Sequence, residues 1–203
     1  MTDEAIGPVE LDCLDGARIV RLDQWASEPN RADVELFVEP CIGPTLDVGC
    51  GPGRLTAALI DRQIMAVGID VAEDAVRLAR ERGAQAIRRD VFADVPGEQH
   101  WQHVLLADGN IGIGGDPAAL LTRIQELLAP DGQIIVEVAE HGVGSYLELH
   151  RLQIGETISA PFPWAVVGMD AIVDVADKSG LYVAETRTSG TRHAVTLVRC
   201  FED

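Results

Sequence analysis

Positive charge is scarce in this sequence. Its 203 residues hold 16 Lys and Arg against 33 Asp and Glu, a formal net charge of −17. A surface this acidic repels phosphate backbones and anionic lipid heads. There is also no run of Lys or Arg, so neither nucleic acid nor membrane is expected as a partner, and a neutral or cationic small molecule suits the field. The one lysine, Lys178, reads as compositional bias rather than function. Paired cysteines are missing too. Cys13, Cys41, Cys50 and Cys200 are scattered without a C-x-x-C pair, which excludes a disulfide frame or zinc ribbon and points to free thiols in a reducing compartment. No cluster of His, Cys, Asp and Glu has metal-ligand spacing, so no metal is expected. No stretch approaches the roughly 18 apolar residues of a membrane span. The opening Met1-Thr2-Asp3-Glu4 has no apolar run behind it, so no signal peptide is expected and a cytoplasmic location is. Internal repeats and low-complexity linkers are absent, which leaves a single domain over 1–203.

What is present is a globular composition, 47% hydrophobic and 24% charged. From about residue 45, apolar runs alternate with helix-period segments, the pattern of a parallel sheet wrapped by helices. Strands are expected at 45–49, 65–69, 85–89, 104–107 and 134–139. A helix begins near Gly53, and a second carries Ala72, Ala75, Val76 and Ala79 on one face. Asp116-Pro117 is a strong helix start, an N-cap followed by proline at the first helical position. That helix, with Leu120, Leu121, Ile124, Leu127 and Leu128 as its apolar face, is expected to end in a turn at Pro130-Asp131-Gly132. A helix at 170–179 precedes two strands, 181–188 and 193–200, joined across Ser189-Gly190 as an antiparallel hairpin. Residues 1–44 are expected to form a helical or irregular cap. Residues 141–166 form an insert, in which 146–154 alternates and Ala160-Pro161-Phe162-Pro163-Trp164 is stiff and aromatic.

The chemistry centres on Leu46-Asp47-Val48-Gly49-Cys50-Gly51-Pro52-Gly53-Arg54, between a strand and a helix. Its glycines let the chain turn sharply and let a ligand lie against bare main chain, and the helix N-terminus beyond presents unpaired N–H groups. A dinucleotide fold requires G-x-G-x-x-G/A. Gly49 and Gly51 fit, but Arg54 occupies the third small position. The spacing here is D-x-G-x-G-x-G, which resembles motif I of the class I S-adenosylmethionine-dependent methyltransferases.

The resemblance covers about residues 45–200. It implies an α/β fold: a doubly wound, seven-stranded, mostly parallel sheet with an antiparallel C-terminal strand, in three α/β/α layers. It implies S-adenosylmethionine as cofactor, leaving as S-adenosylhomocysteine, and methyl transfer to a small-molecule acceptor. Asp47, Gly49, Cys50, Gly51 and Gly53 would pack on the methionine portion. Asp70, with Val71 beside it, would accept from both ribose hydroxyls, a bidentate task that suits a carboxylate; Asp70 and Glu73 also have the spacing of a capping box. Asp90 would accept from the adenine amino group, with Val91 alongside the ring. Asp108 and Gly109 fall at the motif IV position near the transferable methyl. Methyltransferases acting on nucleobases or glutamine amides often carry N/D-P-P-Y/F there. Asp108-Gly109-Asn110-Ile111 departs from that pattern, which argues against both acceptor types.

Methyl transfer requires an acceptor lone pair in line with the S–CH₃ bond, about 3 Å away, with water excluded. A general base is needed only if the nucleophile carries its proton. The catalytic candidates are Asn110, in a loop with four glycines, and His141, which follows the fifth strand and reads more readily as a surface turn histidine. Tyr146, Arg151 and Trp164 in the insert, and Trp25 in the cap, are the acceptor-binding candidates, against simple packing of those segments. Two other readings stay open: an S-adenosylmethionine-binding protein without catalysis, and an NAD-dependent oxidoreductase.

Overall fold

A computed structural model describes residues 13–14 and 16–200. The chain opens with strands β1 (Cys13–Leu14) and β2 (Ala17–Arg21) and a 3₁₀ turn at Leu22–Trp25. Helix α1 (Arg31–Asp33) widens into a π turn at Val34–Val38. There follow β3 (Thr45–Val48), α2 (Arg54–Asp61), β4 (Ala66–Asp70), α3 (Glu73–Glu81), β5 (Ala86–Arg88) and β6 (Trp101–Leu106). A 3₁₀ turn at Asn110–Gly112 leads to α4 (Pro117–Leu127) and β7 (Leu128–Val138). Strands β8 (Ser145–Ile154), β9 (Thr157–Ile158) and β10 (Phe162–Val167) come next. Helix α5 (Ile172–Lys178) and the hairpin β11 (Leu181–Ser189) and β12 (Arg192–Arg199) complete the chain.

Seven strands form the main sheet in the order β11-β12-β7-β6-β3-β4-β5. β5, β4, β3, β6 and β7 run parallel, and β12 runs antiparallel beside β7. The seven-stranded sheet with its antiparallel C-terminal strand is therefore as the sequence implies. Parallel strands covered by helices on both faces read as continuous apolar runs, and all four residues of β3 are buried. Alternation decides which face each side chain takes. Val104 and Leu106 of β6 pack with Leu120, Leu121 and Ile124 of α4, whereas Leu105 between them packs with Leu55 and Leu59 of α2 and Phe37 of the π turn. Asp116 caps α4 as expected, its Oδ1 accepting from Ala119 N at 3.0 Å. No helix among the described residues is long and apolar enough to cross a membrane.

Three local expectations differ from the structure. Pro130-Asp131-Gly132 lies inside β7, where the pairing with β6 shifts register between Trp101 and His103. A bulge of this kind absorbs a proline that has no N–H for the ladder. Asp70 does not cap α3: Ala72 is the N-cap, with no side-chain bond, and Asp70 Oδ1 accepts from Ala72 N at 2.8 Å. The cap, finally, is helical over 31–38 but not wholly helical or irregular: its strands β1 and β2 join the stretch 145–167 in a second sheet, ordered β1-β2-β8-β10 with β9 beside β8. In it β2 pairs parallel with β8, Arg18 opposite His150, and β8 pairs antiparallel with β10. The expectation for residues 1–12 and 15 falls outside the described residues.

Candidate functional site

The site forms where the main sheet's strands end. β3 stops at Val48 and the chain turns through Gly49–Gly53 into α2. Gly53, the N-cap, has φ +78°, and a Cβ there would lie 2.7 Å from Ala79 Cβ and 2.9 Å from Ala84 Cβ. Only a bare backbone lets the loop settle on α3. Gly51 has φ +53°, and a Cβ on it would meet nothing within 4 Å. It leaves open space in the wall of a cavity of about 570 Å³, within the usual small-molecule range of roughly 300–1,000 Å³.

Asp70, at the end of β4, faces that cavity. Its Oδ2 accepts from Gly51 N at 3.0 Å and its Oδ1 from Ala72 N at 2.8 Å. Each oxygen keeps lone-pair capacity for a further donor. Burial raises the Asp70 carboxyl above its ordinary range, against these N–H bonds. Asp90, past β5, accepts from Phe92 N at 2.9 Å through Oδ1 and is exposed at the cavity edge. Asp47 is buried under the loop, held by Thr56 Oγ1 at 2.6 Å, and burial pushes its carboxyl up to about 6.

Asp108, just beyond β6 at φ +52°, belongs to a buried charge network. Its Oδ2 accepts from Arg54 Nη2 at 2.6 Å and its Oδ1 from Arg192 Nη2 at 3.3 Å. Both guanidiniums also pair with Asp33, the fully buried last residue of α1. Arg192 further contacts Glu137 of β7 through Nε at 2.7 Å and Nη2 at 2.8 Å, and Glu137 Oε2 accepts from Asp108 N at 2.5 Å. Burial would raise Asp33, but the two guanidiniums outweigh it and hold its carboxyl below the ordinary range. For Asp108 burial wins, and its carboxyl is raised.

Across the cavity stands the second sheet. Phe162, Pro163 and Trp164 of β10 line it, together with Leu152 of β8, Ser159 and, from the 3₁₀ turn, Trp25. The Trp164 ring stacks on His150 with centroids 5.3 Å apart and 14° between planes, and Phe162 sits edge-on at 6.0 Å. His150 is fixed in turn by Glu148, Nε2 to Oε1 at 2.6 Å.

The structure thus brings Asp47, Gly49, Cys50, Gly51, Asp70, Val71, Asp90, Val91, Asp108, Asn110, Trp25 and Trp164 around one cavity. Five expected residues are not in its lining. Gly53 is occupied in packing against α3. Gly109 sits behind Asp108, where it starts the 3₁₀ turn. His141 is exposed in the turn after β7, and Tyr146 is exposed on β8. The Arg151 guanidinium donates to Ser159 O at 3.0 Å, within the second sheet. Asn110 reaches the site, but its Nδ2 donates to Val48 O at 2.8 Å and Gly49 O at 3.0 Å, so it braces the glycine loop. The sequence reading missed Asp33, Glu137 and Arg192, and it took Arg54 only as a departure from a dinucleotide motif. Nothing local to these residues marks them, because their partners are up to 159 positions away.

Residues 45–132 match a family described as a methyltransferase domain. That span holds the strand–glycine loop–helix unit, Asp70, Asp90 and Asp108. Over residues 45–132 the chain therefore carries a methyltransferase domain. The chain is 29% identical over 135 residues to a trans-aconitate 2-methyltransferase of Paracidovorax citrulli, covering 64% of this chain and 48% of that protein. It is 29% identical over 154 residues to a ubiquinone biosynthesis O-methyltransferase of Neisseria meningitidis, covering 71% of this chain and 56% of that protein. The chain spans about half the length of these curated relatives. Among solved structures, a methyltransferase from Bacteroides fragilis in complex with S-adenosyl-L-homocysteine superposes with a TM-score of 0.74 at 20% identity, over 88% of this chain and 81% of that one. The chain thus shares its fold with that protein.

Proposed function

We propose that this chain transfers the methyl group of S-adenosylmethionine to a small-molecule acceptor. The observation that carries this reading is one cavity bounded on one side by Gly51 and Asp70 and on the other by the β10 strand. The residues suit the cofactor. The open space at Gly51 would take main-chain contact with the ligand, and Asp70, with a free lone pair on each oxygen, suits a vicinal diol. Asp90 has one oxygen left for an amino group, and Val91 is buried beside it. When bound, the sulfonium supplies an electrophilic methyl carbon.

The protein's part is positioning and exclusion of water. Asn110 and Gly53 hold the glycine loop, and the Arg54 and Arg192 pairs hold Asp108 at the methionine end. β10 would close the cavity over the acceptor. Relatives named for trans-aconitate and for ubiquinone biosynthesis support a small molecule as acceptor without choosing its class. The acidic composition supports a location and a substrate away from nucleic acid and membrane.

Thermal unfolding with S-adenosylhomocysteine, with NAD in parallel, tests the reading. At about 100 times its dissociation constant a ligand adds roughly 2.7 kcal/mol, or about 5–10 °C for a chain of this length. A rise with S-adenosylhomocysteine alone is expected. In Asp70→Asn, where an NH₂ would face a backbone N–H, its affinity should fall tenfold or more. A rise with NAD alone, or no rise with either, removes the proposal.

A further inference from the structure

The acceptor half of the cavity has its own chemistry. The chain holds four Phe, three Trp and two Tyr, and Trp25, Phe92, Phe162 and Trp164 all line this one cavity. His150 covers one face of the Trp164 indole, so the part that borders the cavity is the rest of the ring. Flat aromatic walls favour flat aromatic guests through offset and edge-on contacts. Trp164 also brings a polar handle. Its Nε1 lies beside Gly109 and Gly112, next to Asp108 in the chain, and has no hydrogen-bond partner among the described residues. An indole N–H in such a place calls for an acceptor atom on the ligand.

Charge narrows the class further. The lining carries Asp47, Asp70, Asp90 and Asp108 against two guanidiniums. Arg54 is held by Asp33 and Asp108, and Arg89 is the one further guanidinium in the lining among the described residues. An aliphatic polycarboxylate would find no cluster of free cations here. Among the described residues the lining also holds no histidine, tyrosine or lysine. Asp47 is bonded to Thr56 and Asp108 to two arginines, and Asp70 and Asp90 serve the cofactor in the methyl-transfer reading, so among the described residues no lining side chain is left to take a proton from a hydroxyl.

We propose that the acceptor is a planar heteroaromatic molecule, uncharged before the reaction, held against Trp164 and Phe162 and methylated on a ring nitrogen whose lone pair is already free. This rests on the methyl-transfer reading. The nitrogen pair forms the N–CH₃ bond as the S–CH₃ bond breaks, and that bond's electrons stay on sulfur. The cofactor leaves as a neutral thioether, and the positive charge passes to the acceptor, in a wall rich in carboxylates.

Calorimetric titration of the whole chain saturated with S-adenosylhomocysteine tests the assignment. The probes are quinoline, the uncharged saturated bicyclic ketone 2-decalone, and citrate. Quinoline should bind more than tenfold tighter than either of the others. Phe162→Leu and Trp164→Leu should each weaken it about tenfold, with S-adenosylhomocysteine affinity within twofold of the parent chain. Two substitutions are used because Trp164 also supports the 109–115 loop, and either one suffices if the other fails to fold. Comparable binding of the three probes, failure of quinoline to bind at millimolar concentration, or quinoline binding that neither substitution moves overturns the proposal. If S-adenosylhomocysteine does not bind at all, the methyl-transfer reading falls, and the same titration on the free chain still decides whether the aromatic pocket exists.

Discussion

Asp47 shows how one buried carboxylate can set a pH response. Burial lifts it from an ordinary value of 3.8 to about 6, although Thr56 donates to it. An acid whose folded value lies above its unfolded one binds its proton more tightly when folded. Its stabilising share is therefore complete below about pH 4 and lost as the pH rises through 6. A shift of this size corresponds to about 3 kcal/mol. Asp47→Asn keeps the shape and removes the titration. Urea unfolding at intervals between pH 4 and 7.5 should find the variant gaining about 3 kcal/mol on the parent chain across that window. Parallel curves would mean that Asp47 is solvated or paired more fully than its surroundings imply. Residues of this kind were half legible in the sequence. Asp47, Asp70 and Asp90 each lie near the end of a strand, where a local motif can point to them. Arg54 could be read only as a misfit, because its meaning lies in Asp33, 21 positions earlier in the chain and reached only by folding. Asn110 was legible as a site residue, but its task of bracing Val48 and Gly49 was not, since a side-chain amide reads the same whether it faces a ligand or a carbonyl.

At the scale of elements, legibility followed burial and sequence distance. β3, β4 and β6 are central parallel strands covered on both faces, and their apolar runs announced them. The second sheet stayed hidden because β2 and β8 pair across more than 100 intervening residues, and strand pairing over such a distance leaves no local periodicity. The charge network ties these elements together. Asp33 anchors α1 to α2 through Arg54, and to the β11–β12 hairpin through Arg192. Removing one partner of a buried pair strands the other charge, which typically costs about 3–5 kcal/mol. Asp33→Ala, which leaves two guanidiniums short of an anion, should lower the stability measured by urea by about 3 kcal/mol or more. A change of less than about 1 kcal/mol would show that solvent replaces the carboxylate and that α1 is held by its apolar contacts alone.

For the molecule as a whole, charge is the dominant long-range property. A net −17 on 203 residues sets up a field that acts on a ligand before any contact forms. S-adenosylmethionine carries one more positive charge than S-adenosylhomocysteine, while the two share almost every other contact. Four aspartates against two arginines in the cavity wall extend the same sign of field into the site. Added salt screens the distant part of this field, since the Debye length falls from about 30 Å at 0.01 M to about 3 Å at 1 M. The preference for the sulfonium over the thioether should therefore shrink with salt, by a factor on the order of three between low and high ionic strength. Competition of the two ligands by calorimetry at several salt concentrations measures this ratio directly. A ratio that stays constant would place the discrimination wholly in short-range contacts at Asp108 and the glycine loop. A ratio that falls would make the acidic surface part of turnover, drawing in the charged cofactor and holding its neutral product less firmly.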